Sequence, residues 1–248
     1  MIRLAQRGVR LVLLDIEGTT TPMTFVHDVL FPFARAHLGS WIRDADGSAD
    51  LAEITFQLAS EHAADVRNEE PVPPWHAGSG AQAEASVIAY ANWLMDRDRK
   101  SPGLKRLQGL IWEQGYQAGA LRGEVFPDVP PALRRWSAAG IAIAIYSSGS
   151  ELAQRRLFAS TVHGDLTPLI TAFFDTAVGP KREAASYSRI ASALGHAPGH
   201  ILFISDVDLE LTAAAHAGQQ TLLSLRAGNT PQPDAGRFEA VHSFEDIV

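Results

Sequence analysis

Three predominantly apolar runs stand out along the chain, and Arg10 is the single charged residue within them. They span residues 9–14, 141–146 and 201–204. Apolar runs of this length that do not alternate with polar residues are typical of parallel strands buried on both faces. We therefore predict three buried parallel strands, with a further short strand at 220–225.

Stretches with helical periodicity separate these apolar runs or follow them. The helical stretches are 130–139, 183–194 and 208–217, and each is closed by a glycine, the usual C-terminal stop of a helix. The pattern predicts an α/β fold with a doubly wound, Rossmann-like parallel sheet. In such a fold the ligand crevice lies beyond the carboxyl ends of the strands.

The pattern changes between residues 24 and 125, where helical periodicity dominates. The predicted helices are 29–38, 49–64, 81–95 and 104–116, interrupted by a loop at 68–80 that contains three prolines. Four of the five tryptophans lie here, so this segment can build its own core. We predict a catalytic core formed by residues 1–23 and 126–248, with residues 24–125 inserted as a helical cap domain.

Composition narrows the function classes. Hydrophobic residues make up 46% of the 248 residues, and the net charge of −7 argues against a nucleic-acid partner. The absence of cysteine excludes disulfides, thiolate metal sites and cysteine nucleophiles. No apolar run reaches the length of a membrane span, and no signal-like segment opens the chain. We therefore expect a soluble, cytoplasmic protein without a membrane partner.

The residues after the first strand have the chemistry of a phosphoryl-transfer site. Asp15 and Glu17 are two positions apart, so both carboxylates can face one site if the backbone there is extended. One could act as nucleophile and metal ligand, and the other as general acid/base. The alternative is that Asp15 caps the next turn and Glu17 is solvated.

Three further clusters lie near predicted strand ends. Ser147 and Ser148, at the start of a helix, form either an anion site or a helix cap. Lys181 either balances phosphoryl charge or is solvated. Asp206 and Asp208 suit Mg²⁺, which takes one or two carboxylates, or they cap the following helix. Because one sheet would bring these ends together, a single active site accounts for all of them.

The order of these motifs resembles the four signatures of the haloacid dehalogenase superfamily, with a cap inserted after the first. Several longer strings resemble the enolase-phosphatase E1 family of methionine salvage: DIEGTTT at 15–21, FVHDVLFP at 25–32, LQGLIW at 107–112 and IYSSGS at 145–150. The resemblance runs over nearly the whole chain. It departs from the wider superfamily at Glu17, where most phosphatases carry aspartate.

The resemblance implies a covalent, Mg²⁺-dependent mechanism. Asp15 would be the nucleophile and a metal ligand, and Asp206 would complete the metal shell. Glu17 would join that shell through its main-chain carbonyl and serve as acid/base. Glu210 would be a further acid behind the metal.

The resemblance also implies a small phosphorylated metabolite as the only partner of a monomer. Ser147 and Ser148 would hold its phosphate, and Lys181 would act in catalysis by balancing the charge. The implied substrate is 2,3-diketo-5-methylthiopentyl 1-phosphate, which is enolised and dephosphorylated to the acireductone 1,2-dihydroxy-3-keto-5-methylthiopentene. The alternative is a phosphatase of the same superfamily that acts on another small phosphorylated metabolite.

Two other classes share part of this pattern. A signalling receiver domain also carries aspartate, hydroxyl and lysine at strand ends. It is about half this length, lacks a cap and places its aspartate on a middle strand of the chain. A halide-releasing dehalogenase needs no metal, whereas Glu17 and Asp206 favour one. Phosphate release with and without Mg²⁺ separates the three classes.

Overall fold

The computed structural model describes residues 1–248 and contains one six-stranded sheet in which every pair of neighbours is parallel. The strands are β1 Leu11–Leu14, β2 Ala142–Tyr146, β3 Ala172–Phe174, β4 Ile201–Ser205, β5 Gln220–Ser224 and β6 Ala240–Val241, and their order in the sheet is β3-β2-β1-β4-β5-β6. The predicted Rossmann-like α/β class is confirmed, and so are the four predicted strands. The short strands β3 and β6 were not predicted.

Eight α-helices accompany the sheet. They are α1 Phe31–Asp44, α2 Ala49–Arg67, α3 Ala81–Met95, α4 Pro102–Gln117, α5 Val129–Ala138, α6 Glu151–Ala159, α7 Ala184–Leu194 and α8 Asp208–His216. The helix predicted at 29–38 begins differently, because a π-helical turn spans Phe25–Leu30 before α1. Helix α6 was not predicted. None of the helices combines the length and the apolar character that crossing a membrane would require.

The core of the sheet lies around β1, which is buried along its whole length. Helices α7 and α8 cover one of its faces: Tyr187 and Leu211 pack in one apolar cluster with Leu13, Ala144 and other inward side chains of the strands. Such non-alternating apolar strands have no solvated face, which is why they appear as continuous apolar runs in the sequence. This packing fixes where the carboxyl ends of the strands lie.

The chain divides into two compact units, Met1–Asp28 with Gly119–Val248, and Val29–Ala118. The sheet belongs to the first unit. The second is helical and has its own apolar core, in which Leu38, Leu58, Tyr90 and Leu107 are fully or almost fully buried.

The proline-rich loop of the helical unit is held by side chains of the neighbouring helices. The Trp93 indole donates to the Pro71 carbonyl at 2.9 Å, and the His62 ring is 2.8 Å from the Pro73 carbonyl. Behind them, the buried Asp65 carboxylate accepts from the Tyr90 hydroxyl at 2.7 Å. The bonds from Trp93 and His62 supply partners for a backbone stretch that forms neither helix nor strand.

Candidate active site

The carboxyl ends of β1, β2 and β4 lie side by side, because β1 pairs with both neighbours in register. Leu14 is opposite Ile145 on β2 and Ile204 on β4. The Asp15 N–H donates to the Ile204 carbonyl at 3.0 Å. Asp15 therefore leaves the sheet beside the ends of two other strands, at the edge where open α/β folds bind ligands.

A buried charge network surrounds Asp15. The Lys181 ammonium is 2.7 Å from Asp15 Oδ1 and 2.6 Å from Glu210 Oε2, and its side chain is only 10% exposed. The Ser205 hydroxyl lies 3.0 Å from Asp15 Oδ2 and 3.0 Å from Glu210 Oε2. A hydroxyl has one proton, so Ser205 donates to one of the two carboxylates at a time. The lysine is the group that holds both acids together.

Burial and neighbouring charges shift the protonation of this network. Burial alone would lower the pKa of Lys181, but the charges of Asp15 and Glu210 raise it above its ordinary value. Burial, followed by the Asp15 charge, raises the pKa of Asp206 to about 7 and that of Glu210 to about 7. The site therefore holds a firmly charged ammonium and more carboxylates than that ammonium can balance.

The turn after β1 is tight and is built from main-chain hydrogen bonds. The N–H groups of Thr20 and Thr21 donate to the Ile16 carbonyl, both at 2.9 Å, and the Gly18 N–H donates to the Thr21 carbonyl at 2.8 Å. Gly18 has a φ of +67°, and a Cβ there would collide with the Asp206 carboxylate. Glycine is required at this position both by the left-handed backbone and by the closeness of the acid.

The loop that carries Lys181 is fixed by two buried tyrosines. The Tyr146 hydroxyl donates to the Gly179 carbonyl at 2.8 Å, and the Tyr187 hydroxyl donates to the Lys181 carbonyl at 2.7 Å. The two rings meet edge to face with centroids 5.5 Å apart. Tyr146 ends β2 and Tyr187 lies on α7, so the ammonium is positioned from two elements of the core.

The residues at this edge fit a divalent cation. Asp15, Asp206 and Glu210 are buried carboxylates, and Lys181 supplies the ammonium in contact with two of them. Asn229 Oδ1 is buried nearby without a hydrogen-bond partner. No group of three or more His, Cys, Asp or Glu side chains is arranged to hold a metal. A cation here would therefore need main-chain and water oxygens, as Mg²⁺ commonly does.

Three other predicted site residues belong to the segments that leave β1 and β2. Ser147 directly follows β2 and is buried, and its Oγ accepts the Gly149 N–H at 3.3 Å. Ser148 is exposed to solvent. Glu17 is half-buried within the turn after β1 and forms a main-chain bridge with Thr21. The roles assigned to these three residues stay predictions.

Sequence reasoning missed several participants. Ser205 was not predicted as a site residue, and Glu210 was predicted only as an acid behind the metal, whereas both contact the Asp15–Lys181 pair. Asn229 was not singled out. The available signal in the sequence was the Gly-Asn pair at 228–229, shortly after β5, because such pairs are typical of turns. In the structure Gly228 has a φ of +91°.

Comparison with known proteins identifies the family. The protein-family model of the haloacid dehalogenase-like hydrolases matches residues 9–218 of this chain. The enolase-phosphatase E1 of Synechococcus elongatus is 50% identical over 240 residues, which cover 95% of this chain and 96% of that protein. The enolase-phosphatase E1 of Drosophila persimilis is 43% identical, over 98% of this chain and 96% of that protein.

Solved structures agree with this result. The Unknown transcript 4 protein of Saccharomyces cerevisiae is 31% identical with a TM-score of 0.75, over 96% of this chain and 99% of that one. CbbY of Rhodobacter sphaeroides, at 15% identity and a TM-score of 0.56 over 95% of both chains, shows the same fold. The resemblance in the sequence motifs is confirmed: the chain is an enzyme and belongs to the enolase-phosphatase E1 family of the haloacid dehalogenase-like hydrolases.

Proposed function

We propose that this enzyme converts 2,3-diketo-5-methylthiopentyl 1-phosphate to the acireductone 1,2-dihydroxy-3-keto-5-methylthiopentene and inorganic phosphate, in methionine salvage. The observation that carries the proposal is the buried contact of Asp15 with Lys181, 2.7 Å apart beyond the end of β1. The chain that contains it aligns over 95% of its length with a curated enolase-phosphatase. A carboxylate paired with a fixed cation suits attack on a phosphate ester.

The name of a plant relative supports the choice of substrate. A protein of Vitis vinifera, 45% identical over 96% of this chain, is named a probable bifunctional methylthioribulose-1-phosphate dehydratase/enolase-phosphatase E1, and the match covers 47% of it. Loss of water from methylthioribulose 1-phosphate leaves a methylthiopentyl phosphate with two adjacent carbonyls. That product has the structure of the proposed substrate.

Phosphoryl transfer begins when an Asp15 carboxylate oxygen bonds to phosphorus while the bond from phosphorus to the C1 oxygen breaks. Lys181 balances the charge on the phosphoryl oxygens, and the hydroxyls of Ser147 and Ser148 donate to them. Glu17 protonates the departing enol oxygen and then takes a proton from the water that attacks the aspartyl phosphate. Phosphate leaves with the water oxygen, and the Asp15 carboxylate is restored.

Mg²⁺ is the proposed cofactor, held by the carboxylates of Asp15 and Asp206 and by the main-chain carbonyl of Glu17. When bound, it would neutralise phosphate charge and polarise a neighbouring carbonyl. The two carboxylates are 4% and 7% exposed, so their attraction for a cation is weakly screened by solvent.

Enolisation precedes phosphate release in this proposal. A proton leaves C1 and the C2 carbonyl oxygen gains one, which gives the phosphorylated enol. C1 carries the phosphate ester, so the residues that hold the phosphate also hold the carbon that loses its proton. We also propose that the helical segment predicted at residues 24–125 is the cap domain of the enzyme.

The test uses a variant that separates the two reactions. Asp15→Asn should release no phosphate from the diketo phosphate, because an amide does not form an acyl phosphate, yet it should still exchange the C1 hydrogen with solvent deuterium. Exchange is followed by NMR and enol formation by ultraviolet absorbance. The exposed Asp246 provides the control, and Asp246→Asn should behave as the wild type.

Two outcomes would contradict the proposal in different ways. Substantial phosphate release by folded Asp15→Asn would exclude the covalent mechanism. A wild type that hydrolyses simple phosphate esters but neither exchanges nor enolises the diketone would be a phosphatase with a different substrate.

A further inference from the structure

The side chain of Asn229 is held at its nitrogen and has no partner at its oxygen. Nδ2 donates to the carbonyl of Gly18 at 2.9 Å and to that of Ser224 at 3.2 Å. Both carbonyls can only accept, so the amide orientation is fixed and Oδ1 points away from them. Oδ1 is nevertheless buried and unpartnered, although buried polar atoms in native proteins are nearly always paired.

The unpartnered oxygen lies beside the carboxylate of Asp206. A Cβ placed on Gly18 would be 2.9 Å from Asn229 Oδ1 and even closer to Asp206 Oδ2. The two oxygens therefore flank the same point above the turn that follows β1. When Asp206 is ionised, both atoms are acceptors and neither can donate to the other, so the space favours a ligand that brings hydrogens and positive charge.

We propose that Asn229 is a positioning residue of the metal site. Its Oδ1 accepts a hydrogen bond from a water bound to the divalent cation that Asp206 holds, while its Nδ2 fixes the carbonyl of Gly18. A cation bound by one or two carboxylates keeps several waters. Groups that bond to the first coordination shell tune metal affinity. The inference rests on the proposed function, which supplies the cation.

Ser224, the last residue of β5, offers a matched control. Its hydroxyl donates to the carbonyl of Gly18 at 3.1 Å, the same atom that Asn229 Nδ2 holds. Ser224→Ala therefore removes an anchor of the turn and leaves the oxygen beside Asp206 in place. Comparison of the two variants separates anchoring of Gly18 from contact with a metal-bound water.

The experiment measures Mn²⁺ binding to the full chain without substrate, by the electron paramagnetic resonance signal of free Mn²⁺. Asn229→Ala should weaken Mn²⁺ binding at least ~10-fold, the lower end for loss of a residue that supports a metal shell. Ser224→Ala should weaken it less than about threefold.

The outcomes distinguish this inference from the proposed function. Equal weakening by Asn229→Ala and Ser224→Ala, or unchanged affinity in Asn229→Ala, would overturn the inference while the phosphatase proposal stands. A wild type that binds no Mn²⁺, or an Asp206→Asn variant that binds it normally, would overturn both the inference and the proposed metal site. If Asn229→Ala does not fold, Asn229→Ser, whose hydroxyl is too short to reach the same point, takes its place with the same expectation.

Discussion

Replacing Lys181 with methionine tests the charge network directly, because methionine keeps an apolar side chain of similar length and removes the ammonium. The ammonium lies 2.7 Å from Asp15 and 2.6 Å from Glu210. At an effective dielectric constant of about 20, each contact supplies about 6 kcal/mol of attraction before desolvation is subtracted. Removal of one partner from a buried ion pair lowers stability by about 3–5 kcal/mol, and we expect Lys181→Met to fall in that range without metal.

The loss of stability should depend on pH. Without the ammonium, the Glu210 carboxyl loses the charge that favours its ionised form, so its pKa in the folded chain rises further above its ordinary value. Glu210 of the wild type already keeps its proton up to about pH 7, so the folded variant binds more protons than the folded wild type only from about pH 7 upwards. The stability deficit of the variant is therefore steady below pH ~7 and grows as the pH rises above it. The deficit should be largest near pH ~8 and smallest near pH ~5.

Two measurements check this prediction. Urea unfolding of the metal-free proteins at both pH values gives the stability difference, and phosphate release with Mg²⁺ gives kcat/KM, which should fall at least ~10²-fold. The exposed Lys100 supplies the control, since Lys100→Met removes a charge outside the network. A deficit below about 1 kcal/mol that is equal at both pH values would place Lys181 in a solvated role.

Three further predictions follow from the same site. Mg²⁺ should raise the melting temperature more at pH ~8 than at pH ~5.5 in differential scanning fluorimetry, because protons compete with the metal at Asp206, whose folded pKa is about 7. An equal shift at both pH values would contradict that reading. Gly18→Ala should abolish phosphate release, because a Cβ would push the Asp206 carboxylate aside. Gly195 is the control, since it has a similar φ of +68° but no atom within 4 Å of the position of a Cβ. Gly195→Ala should therefore lower stability by only ~1–2 kcal/mol. Phosphate-release assays in chelator should show no activity, restored by Mg²⁺ and inhibited by Ca²⁺, whose looser coordination misplaces the nucleophile; full activity in chelator would refute the metal requirement.

The elements that the sequence predicted are those with a strong local pattern. β1, β2 and β4 are continuous apolar runs because both of their faces are covered. β3 has three residues and β6 has two, which is too short to show a period. Helix α6 was missed because its apolar face is narrow: Leu152 is exposed, and only a few of its side chains reach the core. In each of these cases tertiary pairing defines the element.

The candidate site also contains residues that a local sequence pattern places and contacts that only the folded chain creates. Asp15 and Asp206 follow strand ends, so the pattern alone put them at one edge of the sheet. The distance from Lys181 to Asp15 depends on where the hydroxyls of Tyr146 and Tyr187 hold its loop, and no local pattern records those bonds. Residue types at strand ends can therefore be predicted from the sequence, whereas the contacts that orient them become visible only once the chain is folded.

The hydrogen bonds around the turn after β1 suggest how the site keeps its shape when its charge changes. Ser224 and Asn229 bond to the carbonyl of Gly18, and Arg226 donates to that of Thr19 at 3.3 Å. All three hold neutral main-chain atoms, so these bonds persist whether or not a cation, a phosphate or a proton is present. The charged groups of the site can therefore change partners during the proposed reaction without moving the backbone of the turn. Bonds to neutral main-chain carbonyls position the turn, and other atoms carry the charged contacts of the proposed reaction, which suits the proposed cycle in which Asp15 alternates between a carboxylate and an acyl phosphate.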